Sequence, residues 1–129
     1  MAFRQIISSA KTNRIEPYVS VLASGIVFNP AAAEEAGEHN ERVVVFYEKE
    51  TNRLAFIFMK AKISGSYSFR AVTRSKSKRI GIAKFLKKNR IIERAHGSEF
   101  PLQILKETMP DYEGSTIFFL DLDKKADHN

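Results

Sequence analysis

The chain of 129 residues contains no cysteine and no tryptophan. Without a thiol there is no disulfide, no thiolate nucleophile and no cysteine-ligated zinc. Long apolar runs are missing as well, since no stretch approaches the ~20 residues of a membrane-spanning helix. The opening stretch MAFRQIISSAKTNR lacks the roughly 7–15-residue apolar centre of a secretory leader. These absences predict a soluble, cytoplasmic protein with no membrane partner. Histidine is scarce: His39, His96 and His128 are far apart, and none has the helical metal-ligand spacing of H-E-x-x-H. Gly65 and Gly81 stand alone, so no glycine-rich loop cradles a phosphate. Serines and lysines over 75–78 form no nucleophile signature. Asp121 and Asp123 share one face of a strand end, a spacing open to a divalent cation but more often just solvated. No cofactor, metal or catalytic residue is expected, and the chain reads as a non-enzyme.

What is present is a globular composition, 43% hydrophobic and 28% charged, too apolar for a disordered chain. The length suits one domain spanning 1–129. The formal net charge is +6, and its distribution says more than its size. Residues 70–94 hold ten Lys/Arg and one acid, a local +9, while the remainder carries 11 basic and 14 acidic residues, hence −3. The whole excess is local.

Residues 1–14 read as a loose arm or a short lead-in strand, and 123–129 as a frayed polar tail. Between them, β-branched and aromatic residues predict strands over 18–22 and 26–28, with Ser24-Gly25 as the turn. Asn29 is a strong N-cap type, Pro30 suits the first helical position, and Ala31 to Ala36 form helix readily. Gly37 supplies the left-handed stop. A helix this short is marginal alone, so packing must hold it. Strands over 42–47 and 53–59 make a hairpin that is apolar on successive residues, which predicts cover on both faces. In 67–74, Tyr67, Phe69, Ala71 and Thr73 take one side; Ser68, Arg70, Val72 and Arg74 take the other. A basic turn over 75–78, a strand over 79–82, a helix over 83–90 and a hairpin of 99–106 with 115–122 complete the pattern.

The order strand-strand-helix-strand-strand thus occurs twice, over 18–59 and 67–122. Setting Ile26-Val27-Phe28-Asn29-Pro30 on Ile80-Gly81-Ile82-Ala83-Lys84 brings the two helices into register. The fold class is α+β, mainly β, built as a pseudo-duplicated barrel in which a short helix plugs an open end and small alanines permit its close approach. A whirly-type sheet with a helix, its four-strands-then-helix order running from Val43 to Arg90, is the alternative architecture.

The stretch "GIVFNP", the short helix closed by Gly37, and the hairpin "RVVVFYEKETNRLAFIF" together resemble the AbrB-type transition-state regulators and antitoxins. The resemblance is clearest over 25–58 and looser over 79–122, where Lys84 stands in place of the proline. It implies a swapped-hairpin barrel that grips DNA.

The basic segment independently suggests a polyanion surface. Arg70, Arg74, Lys76, Lys78, Arg79, Lys84, Lys87, Lys88 and Arg90 are the candidate nucleic-acid-binding residues. They would act by phosphate contact rather than catalysis, in a small regulator or accessory protein that is a monomer or homodimer. Tyr67 and Phe69 are expected in the core rather than as base-stacking platforms. The alternative function is a phage or mobile-element interaction or inhibitor protein whose basic surface docks on an acidic partner.

Overall fold

The structure is a computed structural model that describes residues 16–37, 39–72, 74–105, 109–112 and 114–125. The expectations for the arm 1–14, for the tail beyond 125 and for His128 lie outside these residues.

The first hairpin joins β1 (Tyr18–Leu22) to β2 (Gly25–Phe28). Its turn is Ala23-Ser24 rather than Ser24-Gly25, because Gly25 already pairs with Leu22. Gly25 is needed inside the strand for another reason. A Cβ there would overlap the Ile80 carbonyl oxygen and sit 3.2 Å from the Gly81 Cα. The chain then enters α1 (Pro30–Ala36). Asn29 caps it, its Oδ1 accepting from Ala32 N at 2.8 Å and from Tyr18 N at 3.1 Å, while its Nδ2 donates to Glu16 O at 2.8 Å. One side chain therefore fixes both the helix start and the entry to β1. At the other end Gly37 adopts φ +98°, and its N–H donates to Glu34 O. Ala32, Ala33 and Ala36 are buried in the core, so packing does hold the two-turn helix.

A long hairpin follows, β3 (Arg42–Glu48) with β4 (Arg53–Met59). Val43 and Val45 enter the core, yet Val44 and Ile57 on the other face are buried too. Tyr112, in the 3-10 turn Pro110–Tyr112, lies edge-on to Phe46 at 5.9 Å on that outer face. Cover on both faces explains the uninterrupted apolar sequence.

The second half runs β5 (Tyr67–Ala71), β6 (Lys78–Ile80), α2 (Ala83–Lys88), α3 (Ile92–Ala95), β7 (Glu99–Pro101), β8 (Gln103–Leu105) and β9 (Ile117–Asp121). Several boundaries differ from expectation. β5 stops at Ala71, where Ser75 N donates to Val72 O and turns the chain early, so Arg74 is not a strand residue. β6 starts at Lys78 and α2 ends at Lys88. The short α3 was not anticipated.

Among the described residues the nine strands pair antiparallel in the order β7-β1-β2-β6-β5-β3-β4-β9-β8 and form a nearly closed barrel. Its two outermost strands, β7 and β8, are separated in the chain by Leu102 alone. The run 99–105 thus pairs with β1 through its first half and with β9 through its second. Around the wall the hairpins alternate: β1–β2 from the first unit, β6–β5 from the second, β3–β4 from the first, β9 with β8 from the second. The pair set equivalent by sequence, Ile26 and Ile80, face each other across β2–β6, as a two-fold axis through that seam requires. The whirly-type alternative fails here, because β6 continues into β2 and β4 into β9 instead of ending a four-stranded sheet.

Phenylalanine fills the interior. Phe28 meets Phe56, Phe58 and Phe69 edge-on at 5.3, 5.6 and 5.2 Å, the geometry that the ring quadrupole favours. α1 covers the end of the barrel where β2 finishes and β3 begins. Ile82, Leu86, Ile91 and Ala95, from α2, α3 and their flanks, enter the core towards the other end. No helix among the described residues is long and apolar enough to cross a membrane.

Candidate nucleic-acid interface

Strand alternation divides the residues of the β5–β6 hairpin between two environments. Phe69, Lys78 and Ile80 point inward and are buried, whereas Arg70 and Arg79 point outward and are exposed. The register sets these two arginines directly opposite one another, with Val27 of β2 on the far side of Arg79. Side chains so paired have Cβ atoms about 5 Å apart, and like charges there repel. The connecting turn is tied by Val72 N to Ser77 O at 2.9 Å and by Ser77 N to Ser75 Oγ at 3.0 Å. Arg74 and Lys76 are exposed at its tip. Arg74 has φ +61°, a left-handed conformation that costs any residue with a Cβ. Among the described residues, none of these four cations forms an ion pair.

Lys78 is not presented with them. Its Nζ donates to Asn40 O at 2.7 Å and lies 4.5 Å from the centre of the Phe69 ring, and the residue is 9% exposed. It ties the hairpin to the loop after α1, where Asn40 Nδ2 in turn donates to Ala36 O. The signal was in the sequence, since Lys78 shares strand parity with Ile80 and not with Arg79. Phe69 is buried as expected, and Tyr67 packs edge-on to Phe85 of α2 at 6.4 Å.

α2 sends Leu86 into the core and leaves Lys84, Lys87 and Lys88 exposed. Lys87 and Lys88 occupy its last turn, where cations also suit the helix carbonyls. The elbow between α2 and α3 turns at Arg90, φ +58°. The Arg90 Nε donates to Glu93 Oε2 at 2.7 Å and an outer nitrogen to Oε1 at 3.2 Å. This hydrogen-bonded pair lowers the Glu93 carboxyl below its ordinary range and raises the guanidinium further.

The elbow forms one wall of a cleft of about 610 Å³ whose other wall is the β3–β4 turn. Ile91, Ala95 and Leu122 are apolar lining residues, with Tyr47 beside them. Lys49, Lys88 and Arg94 also line it, as do Glu50, Glu93 and Asp123. Asn52, φ +53°, holds one side together: its Oδ1 accepts from Tyr47 OH at 2.7 Å and its Nδ2 donates to Asp123 Oδ1 at 2.9 Å.

The basic segment therefore does not form one compact patch. Arg70, Arg74, Lys76 and Arg79 belong to the hairpin near the start of β3, and Lys88 and Arg90 border the cleft beyond its end. The five residue steps of β3 from Arg42 to Tyr47 span about 17 Å. Lys84 and Lys87 lie on the helix between the two groups. Sequence reasoning missed the contribution of Lys49, Tyr47 and Asn52 to the cleft, because only the tertiary path brings the β3–β4 turn to residues some forty positions later. It also missed Arg42, whose guanidinium donates to Ser66 Oγ, Ser68 Oγ and Ser66 O at 3.1, 2.9 and 2.6 Å and so anchors the approach to β5.

His39 and His96 are exposed turn residues, and no group of three metal-ligating side chains occurs among the described residues. Asp121 is buried, its Oδ1 accepting from Asp123 N at 3.0 Å, and Asp123 Oδ1 accepts from Asn52 Nδ2. No protein-family model, curated protein or solved structure matches the chain.

Proposed function

We propose that this protein binds nucleic acid through the β5–β6 hairpin, contacting phosphates with Arg70, Arg79, Arg74 and Lys76, in the role of a small regulator or accessory protein. The observation that carries the reading is the cross-strand Arg70–Arg79 pair. Two exposed guanidinium groups in register repel each other in the free protein, and an anion lying between them removes that cost. Each can take a phosphate with two parallel N–H donors. Lys84 and Lys87 extend the positive surface along α2, and the resemblance over 25–58 to AbrB-type regulators points to the same class of ligand. Docking on an acidic protein would use the same cations but has no observation of its own.

Fluorescence anisotropy of labelled duplex and single-stranded DNA across salt concentrations tests this. Four phosphate contacts give a slope of log K against log salt of about −3.6 on duplex and about −2.8 on single strands. Arg70→Ala with Arg79→Ala flattens it by about 2. An absence of binding at low salt, or an unchanged slope in the double variant, refutes the assignment.

A further inference from the structure

The cleft between the α2–α3 elbow and the β3–β4 turn has features that barrel stability does not require. Arg90 holds a left-handed backbone at the rim, a conformation suited to glycine, and strain of this kind gathers at ligand sites. Lys49, Lys88 and Arg94 border the same space with no ion pair among the described residues. Ile91, Ala95 and Leu122, each at most 8% exposed, form only the floor of this space, beneath half-buried Tyr47. The volume, about 610 Å³, falls within the range of small-molecule pockets.

The mixture of charges narrows the ligand class. Inorganic phosphate would use the cations but leave the carboxylates and the apolar surface without a role. A purely apolar ligand would strand the cations. We propose that the cleft binds a nucleotide unit. Its phosphate meets Lys88, Arg94 and Lys49; its planar base packs against Tyr47 over the floor formed by Ile91, Ala95 and Leu122; its hydroxyl or amino donors reach Glu50. The Arg90–Glu93 pair closes the rim, and release of Glu93 frees a second guanidinium for the phosphate. The unit is either a free mononucleotide or the phosphorylated end of an oligonucleotide. The site does not rest on the hairpin reading, since it shares none of the four cations on which that reading stands.

Titration of the ¹⁵N-labelled protein with adenosine 5′-monophosphate, followed by amide chemical shifts, decides the matter. Saturable shifts are expected at Ile91, Ala95, Leu122 and Asn52. Adenosine and inorganic phosphate, each lacking half the contacts, bind roughly tenfold more weakly or worse, the loss expected for one charge-assisted hydrogen bond. Lys88→Glu or Arg94→Glu weakens binding by a similar factor while the spectrum stays dispersed; Arg94→Gln serves where Arg94→Glu fails to fold. Arg90→Gly leaves the melting temperature close to that of the wild type, because relief of the left-handed backbone offsets loss of the exposed Arg90–Glu93 pair, and still weakens binding. The Arg70→Ala/Arg79→Ala protein binds the nucleotide as the wild type does, which keeps failure of the hairpin reading separate. A 5′-phosphorylated pentanucleotide that binds far more tightly than the mononucleotide identifies a strand end as the source; equal affinity identifies the free nucleotide. No cleft shift at about 10 mM mononucleotide, far above the affinity of a functional site, overturns the proposal. So do affinities unchanged in Lys88→Glu and Arg94→Glu, or lost in the Arg70/Arg79 variant.

Discussion

Gly25→Ala is a one-methyl perturbation aimed at the seam that joins the two halves of the chain. The added Cβ would overlap the Ile80 carbonyl oxygen and meet Gly81 Cα at 3.2 Å. Both obstacles are backbone, so no side chain can rotate away. Either β2 or β6 must move, and the Ile26–Ile80 and Val27–Arg79 pairings move with it. Overpacking of a close-packed interior costs about 1–3 kcal/mol, and a rigid strand backbone as the obstacle puts this variant at the upper end. For a chain of this length ~1 kcal/mol is worth about 3–5 °C, so the melting temperature should fall by about 10 °C. Gly81→Ala is the matched control. A Cβ there meets nothing within 4 Å, and the stiffer unfolded chain makes it neutral or stabilising by up to ~1 kcal/mol. Thermal melts followed by circular dichroism, with urea midpoints as a cross-check, measure both. A Gly25→Ala protein that melts within about 3 °C of the wild type would refute the close approach of β2 to β6.

Three further outcomes are expected. Arg70→Glu places opposite charges across β5–β6 and should raise stability by a few tenths of a kcal/mol while weakening DNA binding; a loss of stability would contradict the outward pairing with Arg79. Asn29→Ala removes the cap on α1 together with two bonds that hold the entry to β1, at a cost of about 1–2 kcal/mol, readable in urea unfolding. The Glu93 carboxyl, lowered by its hydrogen bond from Arg90, contributes stability that is present above the carboxyl's unfolded pKa and is lost as pH falls through its lower folded value. Carbon-detected titration should show that low midpoint, and Arg90→Gly should return it to the ordinary glutamate range; an unmoved midpoint would dissolve the pair in solution.

Local chemistry made some elements legible. Asn29, Pro30 and Gly37 announced α1 because capping is a short-range matter, and the apolar runs around 42–59 announced a hairpin covered on both faces. Alternation placed Phe69 inward and Arg70 outward. Val72 and Arg74 were misread, since a parity rule cannot say where a strand gives way to a turn, and Arg74 was placed on a strand that had already ended. α3 was invisible because four residues carry too little periodicity. The break at Leu102 escaped for a similar reason: one residue changes partner while the sequence remains strand-like throughout. The cleft depends on the barrel path that brings 47–52 beside 88–95, and nothing local encodes that distance.

The alternation of hairpins around the wall has a consequence for how the protein comes into being. Neither the first half nor the second owns two neighbouring hairpins, so each alone would present raw strand edges on both flanks. A backbone cut in the loop 60–66 should therefore give two pieces that are insoluble apart and reassemble when co-expressed. It also means that nascent chain leaving the ribosome has to wait, half-finished, for its later hairpins to slot between the earlier ones.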